Sequence, residues 1–188
     1  MWRKEIRLAG SGGQGLGLAA MVLADAALRA GLHATIMQSY GPEARGGASR
    51  ADVTLSDQPI ANPWFPAPQI LLALSQKAWD RFSPKLGADA LAIVDLDRVQ
   101  GAQGANVWAL PFERTARAEL REKVAANMLA LGALGVVLEH IPQEILAETA
   151  QSRAPKGFGQ VNRTAVARGW QLMGDALGGI AHVESVGP

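Results

Sequence analysis

Cysteine is missing from all 188 residues. The chain therefore has no disulfide and no thiolates to hold an iron–sulfur cluster. If it takes part in electron transfer, the electrons travel through some other chain. Histidine is nearly as scarce: His33, His140 and His182 stand far apart, without metal-ligand spacing. Excess charge is lacking too, with a formal net charge of +1. Nothing in that balance favours nucleic acid or an anionic membrane surface. No apolar run is long enough to cross a bilayer, and a glycine-rich turn follows the first strand too soon to leave room for a signal-peptide core. These absences lead us to expect a cytoplasmic protein with no membrane span and no nucleic-acid partner.

Apolar residues make up 48% of the chain and charged residues 19%, the composition of a folded globular protein. The length favours one domain. We place it over residues 1–177, with 178–188 as a loosely held C-terminal tail. A short strand at 5–9 runs into Gly10-Ser11-Gly12-Gly13-Gln14-Gly15, then a helix over 16–30 stopped by Gly31, then a strand at 33–38. Strand, crossover helix and strand form a βαβ unit and imply a parallel sheet.

Further strands are expected at 49–56, 70–74, 90–94 and 106–110. Continuous apolar runs such as Ala90-Leu91-Ala92-Ile93-Val94 suit strands covered on both faces. Residues 59–68 carry four prolines with Trp64 and Phe65, so they read as a surface loop. Helices are expected over 119–139, 143–151 and 160–176. Gly132 and Gly135 inside the first cost about 1 kcal/mol each relative to Ala, which close approach of another helix would offset. The fold class is α/β: a Rossmann-like three-layer domain with a mostly parallel sheet flanked by helices.

Gly10, Gly12, Gly13, Gln14 and Gly15 satisfy G-x-G-x-x-G between a strand and a helix. Backbone N–H groups and the positive helix end could hold a diphosphate there. A dinucleotide site also wants a carboxylate at the end of the second strand, and Ile36-Met37-Gln38-Ser39 offers none. Three readings stay open: a dinucleotide, another anion such as a CoA phosphate, or a tight turn at a subunit contact. A second loop, Tyr40 to Ala48, also follows a strand and so belongs at the same carboxyl rim. Arg45, flanked by Gly46 and Gly47, could grip a carboxylate or phosphate bidentately, or else pair with Glu43 at the surface.

Taken together, Gly10 to Gly15, Ser39 to Gly47, Ser56-Asp57-Gln58-Pro59-Ile60 and Asn127 to Gly132 resemble the gamma domain of the pyruvate/ketoacid:ferredoxin (2-oxoacid:acceptor) oxidoreductases. The resemblance covers roughly residues 4–172. It implies an accessory gamma subunit of a heteromeric enzyme that oxidatively decarboxylates a 2-oxoacid to an acyl-CoA. Alpha and beta subunits would carry thiamine diphosphate with Mg, and a ferredoxin-like delta subunit the [4Fe-4S] clusters. A flavin subunit would join where the acceptor is NAD. This chain would hold no cofactor alone and no catalytic residue, contributing scaffold and a candidate part of the CoA site. The expected cofactor contacts are Gly10, Gly12, Gly13, Gln14, Gly15, Arg45, Gly46 and Gly47; the expected interface residues are Tyr40, Glu43, Trp64 and Phe65. The reading from a different class is a stand-alone Rossmann-type nucleotide-binding module.

Overall fold

In a computed structural model that describes residues 1–39 and 48–184, six strands form one sheet. They are β1 (Arg3–Ser11), β2 (His33–Ser39), β3 (Ala48–Ser56), β4 (Ile70–Ala73), β5 (Leu91–Asp95) and β6 (Val107–Leu110), in the order β2-β3-β1-β4-β5-β6. β1, β4, β5 and β6 pair in parallel, while β3 runs antiparallel between β1 and β2. Five strands thus share one direction and one is reversed, giving the mostly parallel α/β sheet expected. The βαβ reading needs one refinement. β2 does run in the direction of β1, but β3 has inserted between them, with Val53 opposite both Ile6 and Ile36. β3 is long enough to hydrogen-bond on both of its edges, antiparallel to each neighbour.

The central strands bury both faces. Ile6, Leu8, Leu72 and Ile93 point into one apolar cluster, and Ala9, Leu71, Ala73 and Val94 into another. The larger cluster is closed by α1 (Leu16–Arg29), α4 (Ala126–Val136), α5 (Gln143–Ser152) and α6 (Gly159–Glu184); the smaller by α2 (Gln76–Phe82). Ser75 caps α2, its hydroxyl oxygen accepting from the Ala78 amide. Gly31, at φ +82°, lets the chain turn out of α1.

Helix boundaries in the second half differ from expectation. The helix expected over 119–139 begins only at Ala126 and ends at Val136, and a separate short helix precedes it. α3 (Phe112–Ala118) ends before Arg121, whose φ of +55° lets the Glu122 amide return to the Ala116 carbonyl at 3.2 Å. One 3-10 turn, Lys123–Ala125, then leads into α4. The last helix does not stop at Ala176 but stays helical to Glu184, so most of the expected tail is helix. Two glycines at 178–179, each costing about 1 kcal/mol, do not break it.

α4 and α6 pack backbone to backbone. A Cβ on Gly132 would overlap the Val166 carbonyl, and one on Gly169 the Leu129 carbonyl. Gly135 faces the Trp170 ring. The close helix approach expected at Gly132 and Gly135 is the one observed.

Among the described residues, one ion pair sits inside. Arg7 is 1% exposed and meets both Asp52 carboxylate oxygens at 2.7 Å across the β1–β3 pair. Its guanidinium carbon lies 5.4 Å from the Phe65 ring centre and 5.1 Å from that of Phe82. Phe65, expected as a surface anchor, is therefore an internal side chain, 3% exposed. The proline-rich loop folds back over β3, where the Thr54 hydroxyl donates to the Pro63 carbonyl (3.2 Å), and its apolar face is used at home. Trp64, its neighbour, is 58% exposed. Among the described residues no helix is long and apolar enough to cross a membrane.

Candidate functional site

The glycine turn is built by two side-chain amides. Gln14 folds back so that its Oε1 accepts from the Ser11 amide (2.6 Å) while its Nε2 donates to the Leu74 carbonyl (2.9 Å). It thereby fastens the turn after β1 to the end of β4. A Cβ on Gly10 would collide with that same Oε1. Gly13 and Gly15 adopt φ of +85° and +71°, conformations open to glycine at little cost. Gly15 is also pressed by Asn127 at the start of α4, whose Nδ2 donates to the Gly15 carbonyl (3.3 Å). Two of the four glycines are thus fixed by this chain's own packing. Gly12 and Gly13 are exposed, and a Cβ on Gly13 would meet nothing within 4 Å. The amino end of α1 carries no side-chain cap, so its first N–H groups remain available to an anion.

Beside the turn lies a cavity of about 360 Å³ at the carboxyl ends of β1, β4 and β5, where open α/β sheets place their ligands. Leu18, Leu74, Val124, Pro155 and Phe158 give it apolar walls, and Asp95, Glu113, Lys123, Asn127 and Asn162 its polar positions. Asp95 ends β5 and is 2% exposed. Its oxygens accept from the amides of Asp97 (3.0 Å) and Glu113 (3.2 Å). Burial raises its pKa to about 6; the neighbouring Asp97 adds to the rise, and the Asp97 amide, Arg98 and Arg114 oppose it. Asp97 itself is held below the usual carboxylate range by its hydrogen bond from Arg114. Glu113 is surrounded by cations, with Arg98 and Arg117 bonded to it and Lys123 Nζ at 3.7 Å.

Of the residues expected to make a site, Gly10 to Gly15 come together as one turn. Tyr40, Glu43, Arg45, Gly46 and Gly47 lie outside the described residues. The strand ends that flank them, Ser39 and Ala48, lie at the rim of the glycine turn, with Ala48 opposite Ser11. Gln38 rests its amide against Gly17 in the first turn of α1, 3.3 Å from where a Cβ would be. Trp64 is elsewhere, on the loop that leaves the opposite rim, where Arg3 donates to the Asn62 carbonyl (2.8 Å). Sequence reasoning missed Asp95 and Asn162. A carboxylate directly after an apolar strand was a readable signal for Asp95; a lone asparagine in an amphipathic helix offered none for Asn162.

Comparison with known proteins gives consistent results. A family model described as pyruvate ferredoxin/flavodoxin oxidoreductase matches residues 5–172. The 2-oxoglutarate synthase subunit KorC of Methanocaldococcus jannaschii is 38% identical over 175 residues, covering 90% of this chain and 94% of that one. KorC of Methanothermobacter marburgensis is 39% identical over 180 residues, covering 91% and 97%. Among solved structures, the gamma subunit of a keto/oxoacid ferredoxin oxidoreductase from Geobacter sulfurreducens superposes with a TM-score of 0.81 at 35% identity, over 92% of this chain and 97% of that one.

Proposed function

The chain belongs to the pyruvate ferredoxin/flavodoxin oxidoreductase family, and from that premise we propose that it is the gamma-type accessory subunit of a 2-oxoacid:ferredoxin oxidoreductase. The observation that carries the reading is the agreement of sequence and fold with such subunits over nearly the whole chain. Relatives named as 2-oxoglutarate synthase subunits reach 38–39% identity, against 27% for a pyruvate synthase subunit PorC. This favours 2-oxoglutarate as the acid oxidised by the complex, with succinyl-CoA as product.

The chemistry is delegated. With no cysteine in the chain, and no cluster of three potential metal-ligating side chains among the described residues, thiamine diphosphate, Mg and the [4Fe-4S] clusters are assigned to alpha, beta and ferredoxin-like delta partners. CoA fits this chain better. Gly12 and Gly13 expose bare backbone next to the uncapped amino end of α1, and the space a Cβ would enter at Gly13 is open. That turn would hold a CoA phosphate, and Arg45, Gly46 and Gly47 would complete the contact. Bound there, CoA supplies the thiol that accepts the acyl group; this chain orients its anionic end. Trp64 is the exposed aromatic through which a partner subunit would anchor. The stand-alone nucleotide module loses support because the reversed β3 stands between β1 and β2, and β2 ends without a ribose-binding carboxylate.

The test is to tag the chain in its native host and identify what purifies with it by mass spectrometry. Thiamine-diphosphate and iron–sulfur subunits are expected, with no turnover by the isolated chain. Activity of the chain alone would reject the reading. In the reconstituted complex, Gly13→Val should raise KM for CoA while leaving KM for the oxoacid unchanged.

A further inference from the structure

The cavity beside the glycine turn contains more polar chemistry than the turn requires. Asn162 is 6% exposed and borders it. Among the described residues its side-chain amide has no hydrogen-bond partner, and its atoms are not sealed off, so they open onto the cavity. Those atoms stay open to water, so a ligand with a matching polar group would replace water on an amide that no protein group engages. Asn127 lines the same wall, its Nδ2 engaged by Gly15. The amino ends of α1, α4 and α6 all border this space through Gly15, Ala126 and Phe158.

We propose that this cavity binds a small monocarboxylic acid with a branched or aromatic apolar tail, its carboxylate meeting Asn162 and Asp95 and its tail lying among Leu18, Leu74, Val124 and Phe158. Three helix amino ends favour an anion. Two lining carboxylates, Asp95 and Glu113, oppose a second negative charge, and among the described residues the one lining cation, Lys123, already stands 3.7 Å from Glu113. A single charge suits that balance and a phosphate dianion does not. Asp95 completes the argument: its pKa of about 6 lets it take up a proton as the anion arrives and donate it in a carboxyl–carboxylate hydrogen bond. The charged groups around Asp95 are Asp97 and Arg98 just after β5, and Arg114 and Glu113 on α3, the last donating its amide to Asp95 and standing 3.7 Å from Lys123. The volume of about 360 Å³ is at the small end for ligand sites, which matches an acid of roughly ten heavy atoms.

The proposal shares the Gly13–Gly15 wall and the amino end of α1 with the phosphate contact proposed above, but it is read on the isolated chain, so its failure is distinguishable from failure of the family reading. Isothermal titration of the full chain with 4-methylvalerate and phenylacetate, at pH 6.0 and 7.5, tests it. One saturable site is expected, weaker at the higher pH by about tenfold because proton uptake by Asp95 is then required. Asn162→Leu should weaken binding by about tenfold or more. Val124→Glu, at a 63% exposed position where folding is not at stake, should weaken it also through like-charge repulsion. Equal affinity for 4-methylvaleramide or phenyl phosphate, an unchanged affinity in both variants, or no saturable heat at millimolar acid overturns the proposal.

Discussion

The side-chain amide of Asn127 donates to the carbonyl of Gly15 and occupies the place a Cβ on Gly15 would need. A residue at the mouth of α4 thus fixes a turn more than a hundred positions earlier in sequence. Gly15→Ala must strain the +71° φ and also displace Asn127; we expect a loss of about 2–3 kcal/mol in urea denaturation. Gly13→Ala carries only the backbone strain, because its side chain would enter open space, and should cost about 1 kcal/mol. Equal costs at the two positions would contradict the packing described.

The α4–α6 contact gives a sharper contrast. Gly169→Ala places a methyl group against the Leu129 carbonyl, where neither backbone can yield, and should destabilise by roughly 3 kcal/mol or more. Gly174→Ala lies on the same helix with nothing near its Cβ. It should stabilise by about 0.5–1 kcal/mol through helix propensity alone. Thermal melts of the two variants should therefore move in opposite directions.

Arg7 and Asp52 test the buried pair. Arg7→Met leaves the Asp52 carboxylate buried, with Arg50 Nε, 3.9 Å away, as its next-nearest cation. The expected loss is about 3–5 kcal/mol. Adding Asp52→Leu removes the stranded charge and should restore most of it, because Phe65 and Phe82 already supply an apolar setting. A double-mutant cycle by chemical denaturation measures the difference.

Asp95 makes a pH prediction with a definite sign. Its carboxyl binds a proton more tightly in the folded chain, at about 6, than in the unfolded chain, near 3.8. Its contribution is therefore fully present below pH 3.8 and fades as pH rises through 6, leaving neutral pH less favoured by on the order of 2–3 kcal/mol from this group alone. A carbon-13 titration of its carboxyl should show a midpoint near 6. A midpoint near 4 would mean that water reaches the group freely.

The sequence by itself determined the order of the six strands and of the helices other than α3. Apolar runs such as Leu91 to Val94 can only be satisfied between two layers, and glycine at 10–15 between a strand and a helix permits only a tight turn. The lack of cysteine likewise settled locally that no thiolate chemistry resides here. Boundaries set by distant partners were another matter: nothing near Arg121 announces the break between α3 and α4, and Gly178 does not end α6. Tertiary structure alone decided that β3 would insert beside β1, that Phe65 would turn inward onto Arg7 while Trp64 stayed outside, and that Asp95, Asn127 and Asn162 would share one cavity with the glycine turn. Each of these depends on contacts between residues far apart in the chain, where burial and charge act through space, and periodicity records only the face a residue occupies.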